Sequence, residues 1–222
     1  MRKARSLVGS MAVVLVCAAC SAGNVQLASA SDGRISVVAA ESFWGSIAAQ
    51  LGGDRVHVTS IIHTPGADPH DYEPTPRDAR RMAAAQYAIV NGAGYDPWAD
   101  DVLDANPAVG RRVLDVDRLV DVPDGGNPHR WYFPADVARV IAEITADYER
   151  LDPKNRAYYE DRRQQFESVA LARYRALLSQ IDDQFPGTPV GASETFFDGI
   201  AAATGLQVRT PTGFRAAWHP RR

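Results

Sequence analysis

Apolar and polar positions alternate with two different periods along this chain. Four short β-branched runs, at residues 35–39, 56–62, 87–91 and 111–116, are separated by stretches of helical period near 42–51, 76–85 and 97–104. Strands that alternate with helices predict βαβ units and a mostly parallel sheet. A further amphipathic helix is expected from about Asp136 to Leu151. Together these segments predict an α/β lobe over residues 34–152.

The pattern then changes. After Pro153 neither glycine nor proline occurs until Pro186, and a proline at the start of a helix is tolerated. Tyr159, Phe166, Ala170, Tyr174, Leu177, Ile181 and Phe185 follow at spacings of three, four or seven, a single helical stripe. A helix over 153–186 would run roughly 45–50 Å at 1.5 Å per residue. A lobe of the preceding size is only roughly 35 Å across. The helix is therefore expected to carry the chain out of its first lobe into another. A strand at 190–192, a helix at 195–204, a stop at Gly205 and a strand at 206–210 then predict a second α/β lobe over 187–222. About 36 residues bury no core of their own, so this lobe is expected to be partial. The fold class predicted is α/β, with two βα lobes joined by one long rigid helix and the second lobe incomplete.

The N-terminus is read as a signal rather than as fold. Arg2, Lys3 and Arg5 precede an apolar run from Leu7 to Cys17, too short to span a bilayer stably. Two processing sites compete. Ala18-Ala19-Cys20 is similar to a bacterial lipobox, in which the cysteine is lipidated, with Cys17 where such boxes usually carry leucine. Ala28-Ser29-Ala30 fits ordinary signal peptidase. Cys20 ends the apolar run, which favours a signal sequence with lipobox over 1–20 and a flexible tether over 21–33. Both cysteines fall in this region, so the remaining chain carries neither a disulfide nor a thiolate metal ligand. The net charge of −3 offers no basic field for nucleic acid.

Candidate chemistry lies in the histidines. His57 sits in an apolar run and reads as structural, and His63 as a loop residue. His70 and His129 are more informative. Each follows a proline in a stiff loop beyond a predicted strand, where open α/β sheets bind ligands. Rigid loops lower the entropy cost of fixing a ligand, and two of them could bring two imidazoles to one metal.

Three strings carry a resemblance: residues 66–76, Asn91-Gly92-Ala93-Gly94-Tyr95-Asp96-Pro97-Trp98, and Asn127-Pro128-His129-Arg130-Trp131. Together they resemble the zinc/manganese group of ABC-importer solute-binding proteins, over roughly residues 34–214. The resemblance implies two lobes joined by one rigid helix, with a divalent metal (Zn²⁺ or Mn²⁺) held between them. It also implies a monomer anchored by lipid to the outer face of the cytoplasmic membrane, and an ABC permease as partner. By position the family's first two ligands fall on His70 and His129, and its third on Glu194 in Ala192-Ser193-Glu194-Thr195. The fourth, an aspartate much further along, has no match here. Residues 215–222, with His219, depart from the family pattern, so a frameshift or early stop is expected. Phe133 stands where the family usually caps a helix with serine or aspartate.

Neutral imidazoles and a carboxylate bind zinc at about 2.0–2.2 Å and must be deprotonated to do so. With Glu194 as sole carboxylate, one positive charge stays uncompensated and one position stays open to water. Weaker binding and faster exchange than in a complete relative are expected. No His-rich loop, the type sometimes seen in zinc-specific members of the family it resembles, follows Pro76, and the resemblance therefore leans slightly toward manganese. Other readings are a non-functional or adhesin-like surface lipoprotein and, further off, a metal-dependent hydrolase with Asp68, Asp71 or Glu73 as base. No H-E-x-x-H helix or nucleophile elbow is present, and no enzyme activity is expected.

Overall fold

Val37, Ala39, Tyr87 and Ile89 point to one side of a sheet, and Val38, Ala40, Ala88 and Val90 to the other; all eight are buried. Period-two side chains that are apolar on both sides belong to a sheet covered on both faces. The computed structural model describes residues 33–123 and 125–216. The signal sequence with Cys17 and Cys20, nearly all of the expected tether, and His219 lie outside the described residues.

Strand β1 (Ile35–Glu41) leads into helix α1 (Ser42–Gly52), then β2 (Val56–Ile62), α2 (Pro76–Ala84), β3 (Tyr87–Val90), α3 (Pro97–Ala105) and β4 (Arg112–Asp115). All pairings are parallel, in the order β2-β1-β3-β4. The expected βαβ alternation is therefore present, with strand ends within two residues of the predicted ones. His57, in the apolar run of β2, is exposed on this edge strand and is not part of the core.

Helices α4 (Val116–Leu119) and α5 (Pro134–Leu151) complete the first half. On one face, α1 and α5 bury Trp44, Leu51, Ile141, Ile144 and Tyr148 against the sheet, and Tyr159 joins them. On the other, α2 and α3 bury Met82, Trp98 and Leu103. Arg111 closes the open ends of both outer helices. Its guanidinium donates to the carbonyls of Ala83 (3.1 Å) and Asn106 (2.6 Å), groups that helix ends leave without partners. Helix α5 starts without a side-chain cap at Phe133. Instead, Asp136 in its first turn pairs with Arg130, whose guanidinium also lies over the Phe133 ring.

The long helix is not uniform. Helix α6 (Arg156–Gln165) passes through a π turn (Phe166–Ala170) into α7 (Ala172–Gln184). Within that turn the Leu171 N–H bonds the Phe166 carbonyl, five residues back. One extra residue in a turn rotates the following face by about 100°. The stripe expected to be continuous therefore splits. Tyr159 and Phe166 are buried, whereas Leu177 is 43% and Phe185 50% exposed.

Beyond it, β5 (Pro189–Val190) pairs in parallel with β6 (Gln207–Val208), across α8 (Asp198–Ala203). In the last described helix, α9 (Thr212–Ala216), Arg215 is buried and pairs with Asp198. This segment rests on the turn at residues 130–132. A Cβ on Gly199 would collide with the Tyr132 carbonyl oxygen and lie 2.6 Å from the Phe133 ring. Gly199→Ala is expected to push α8 off that turn at a cost of about 1–3 kcal/mol. An unchanged midpoint in urea unfolding followed by tryptophan fluorescence would contradict this contact.

Candidate functional site

The carboxyl ends of β1 and β3 open onto one corner of the sheet, and both loops bearing the informative histidines reach it. The loop after β3 is the centre of this corner. Gly92, Ala93 and Gly94 take φ of 70°, 52° and 70° in succession. A side chain at Gly92 would collide with the carboxyls of Asp115 and Asp117, so only glycine fits there. Ala93 tolerates its left-handed backbone because its N–H is held by the Asp117 carboxylate (2.5 Å). The coil ends in Asp96, whose two oxygens accept the N–H groups of Asn91 and Gly92, each at 2.8 Å.

This coil presents the Gly94 carbonyl and the Tyr95 ring to the histidines. The Nδ1–H of His70 donates to Gly94 O at 2.9 Å. A carbonyl only accepts, so the neutral His70 ring carries its lone pair on Nε2. The His70 N–H bonds the Asp68 carboxylate (3.0 Å), which fixes the loop before it. His129 is held in the same way. Asn127 Oδ1 accepts both the His129 N–H (3.0 Å) and its ring Nδ1–H (2.8 Å), again placing the lone pair on Nε2. The Asn127 amide orientation is settled independently, because its Nδ2 donates to the Thr195 carbonyl at 2.6 Å.

Tyr95 packs against both imidazoles in steeply inclined, T-shaped contacts, with ring centroids 4.9 Å from His70 and 6.0 Å from His129. Trp131 packs 4.9 Å from Tyr95 and 5.3 Å from His129, and stacks on Phe43 at 3.9 Å. Phe196 approaches His129 from the second segment at 6.4 Å. His129 is thus buried in an aromatic wall, while His70 is half-buried at its rim. Glu194, also half-buried, directly precedes Thr195, whose hydroxyl lies 3.4 Å from His129 Nδ1. The structure thus brings His70 and His129 against one tyrosine ring, and the residue after Glu194 into contact with His129. Among the described residues no three His, Cys, Asp or Glu side chains converge as a ready-made cage. His57 and His63 are exposed, and His63 Nδ1 lies 3.0 Å from its neighbour Ile61's carbonyl.

Below Tyr95 lies a pair of carboxyls that sequence reasoning misses. Glu41 ends β1 at 2% exposure and Asp96 is at 1%. Burial raises the Glu41 carboxyl well above the ordinary range, and the neighbouring Asp96 raises it further. Burial also pushes Asp96 up to about 6, against the two N–H groups that favour its charge. The amide donors make Asp96 the ionised member and leave the proton on Glu41. Burial, and then the neighbouring acidic groups Glu41, Asp68 and Asp96, raise the Tyr95 hydroxyl above its ordinary value. The one signal for this pair in the sequence is a carboxylate at the sheet-binding end of an otherwise apolar strand. Asn91 and Tyr95 lie within one of the strings that carry the resemblance, which by itself gives them no role.

Residues 37–221 match the model of the family described as zinc-uptake complex component A, periplasmic (ZnuA). The manganese-binding lipoprotein MntA of Halalkalibacterium halodurans is 28% identical over 154 residues, covering 67% of this chain and 50% of that protein. The metal ABC transporter substrate-binding lipoprotein FimA of Streptococcus parasanguinis is 29% identical over 179 residues, 75% of this chain and 54% of that one. The chain spans about half the length of the curated relatives it matches. Among solved structures, the manganese-bound periplasmic metal-binding protein from Candidatus Liberibacter asiaticus superposes with TM-score 0.69 at 22% identity, covering 78% of this chain and 67% of that one. The metal-dependent lipoprotein YcdH of Bacillus subtilis superposes with TM-score 0.68 at 24% identity, covering 78% and 65%. These likenesses establish the two-lobed α/β fold of metal-binding lipoproteins for this chain.

Proposed function

The chain belongs to the ZnuA family, and we propose that it captures zinc or manganese outside the cytoplasmic membrane and passes the ion to an ABC permease. The family is one of transport components rather than enzymes. The observation that carries the proposal is the shared anchoring of two imidazoles. His70 and His129 each commit Nδ1–H to an oxygen acceptor, which places the ring lone pair on Nε2, and both rings pack against the same Tyr95. Fixing the tautomer and the ring angle in this way is what an outer shell does for a metal-ligating histidine.

In this reading His70 and His129 supply two nitrogens and Glu194 an oxygen, a mixed set that suits zinc and manganese alike. The ionised member of the Glu41–Asp96 pair, under Tyr95, adds negative potential to a ligand set with a single carboxylate. The lobes are assigned as residues 34–152 and 187–222, with 153–186 connecting them. A lipid anchor at Cys20 accords with the lipoprotein names of the relatives.

Calorimetric titration of the chain with Zn²⁺ and with Mn²⁺ tests the reading. Saturable one-to-one binding by at least one of the two ions is expected. Heats of dilution alone for both would remove it.

A further inference from the structure

Asn91 is fully buried, and its side chain touches three separate parts of the fold. Its Oδ1 accepts the indole N–H of Trp44 in α1 at 3.0 Å. Its Nδ2 donates to the Pro128 carbonyl at 3.0 Å, and to its own neighbour Gly92 O at 3.3 Å. Pro128 is the residue directly before His129. The backbone of Asn91 is engaged as well: its N–H goes to Asp96 and its carbonyl accepts from Asp117 N–H at 3.1 Å. Every donor of this residue is therefore used, and the acceptors are matched to them in type.

The geometry has a consequence for the two imidazoles. His70 is tied to the coil 92–96 through Gly94 O, and that coil starts at Asn91. His129 is tied to the loop 126–131, and that loop is tied to Asn91 through Pro128 O. Asn91 is thus the direct polar link between the segment that orients one histidine and the segment that carries the other. Trp44 holds the amide the right way round, because an indole N–H needs an acceptor and so turns Nδ2 toward Pro128. We propose that Asn91 is a positioning residue that sets the separation and relative angle of the two Nε2 atoms, and with them the affinity and coordination geometry at the metal. This rests on the metal-capture reading given above.

Two variants of the full chain test it, with Co²⁺ as probe, because its visible absorption reports ligand number and geometry directly. Asn91→Ser keeps an acceptor near Trp44 and adds no charge, but its hydroxyl is too short to hold Pro128. Asn91→Asp keeps the shape and turns an oxygen against the Pro128 carbonyl. Outer-shell partners of metal-binding histidines typically contribute about 10–100-fold in affinity. Both variants are expected to bind Co²⁺ one-to-one, with a dissociation constant raised by about tenfold or more and an altered visible spectrum. Their near-UV circular dichroism should stay native. A merely structural residue would lower the thermal midpoint without changing the spectrum of the bound ion. An unchanged constant and spectrum in Asn91→Ser, or loss of the folded state in both variants, would overturn the proposal while leaving metal capture standing. A wild-type chain that binds no Co²⁺, Zn²⁺ or Mn²⁺ would remove both.

Discussion

His129→Ala abolishes measurable one-to-one binding of zinc and manganese, a weakening expected to exceed about 100-fold, the upper end of what outer-shell losses produce. The argument starts from burial. His129 is 6% exposed, walled by Trp131, Tyr95 and Phe196, and its Nδ1–H is already given to Asn127. No other described histidine is positioned to replace it, since His57 and His63 are exposed on β2 and just beyond its end. Removing one imidazole from the proposed set of two histidines and one carboxylate leaves a pair that would hold a divalent ion only weakly against water. His70→Ala should follow with a loss of the same kind. Asn127→Ala should leave both rings in place but free the His129 tautomer, with a smaller loss of about 10–100-fold. His57→Ala is the control and should bind like the wild type. Calorimetry on the four variants ranks them. Equal affinity in His129→Ala and in the wild type would remove His129 from the ligand set.

The first lobe was legible because its signals are local. Alternating β-branched runs and helical periods fixed β1 to β4 and the helices α1, α2, α3 and α5 to within a few residues, and the parallel order follows from crossover helices of that length. The π turn at residues 166–170 was not legible. It inserts one residue of rotation without glycine or proline, so the spacing of apolar residues looks unbroken on either side of it. At the site, proline-bound loops after strands pointed to His70 and His129. The groups that hold them did not announce themselves. Gly94 acts through its carbonyl, which no side-chain pattern encodes, and Asn127 acts through an amide whose orientation depends on Thr195, 68 residues away in sequence. Glu41 and Asp96 lie 55 positions apart and meet only because β1 and β3 are neighbours in the sheet.

That meeting gives the fold an unusual dependence on pH. Asp96, ordinarily near 3.8, titrates at about 6 in the folded chain because it is buried, and burial holds Glu41 well above 4.5. The folded state therefore keeps protons that the unfolded chain releases, and stability falls as pH rises through that interval. It is full below about pH 4 and is lost progressively as the folded groups ionise, at about 1.4 kcal/mol per pH unit for each group still protonated only in the fold. This runs opposite to a salt-bridged carboxylate, whose contribution grows with pH. Glu41→Gln keeps the side-chain shape and offers Asp96 an N–H that cannot be titrated away. The variant is expected to match the wild type near pH 4 and to exceed it at pH 8. The cause is that the wild type must either hold a proton against solution or place two charges side by side at 2% and 1% exposure. Urea unfolding between pH 4 and 8 measures the difference directly. If the two stability curves ran parallel across that range, Glu41 would not be the group that carries the proton in the fold, and the negative potential assigned to the floor of the site would have to come from elsewhere.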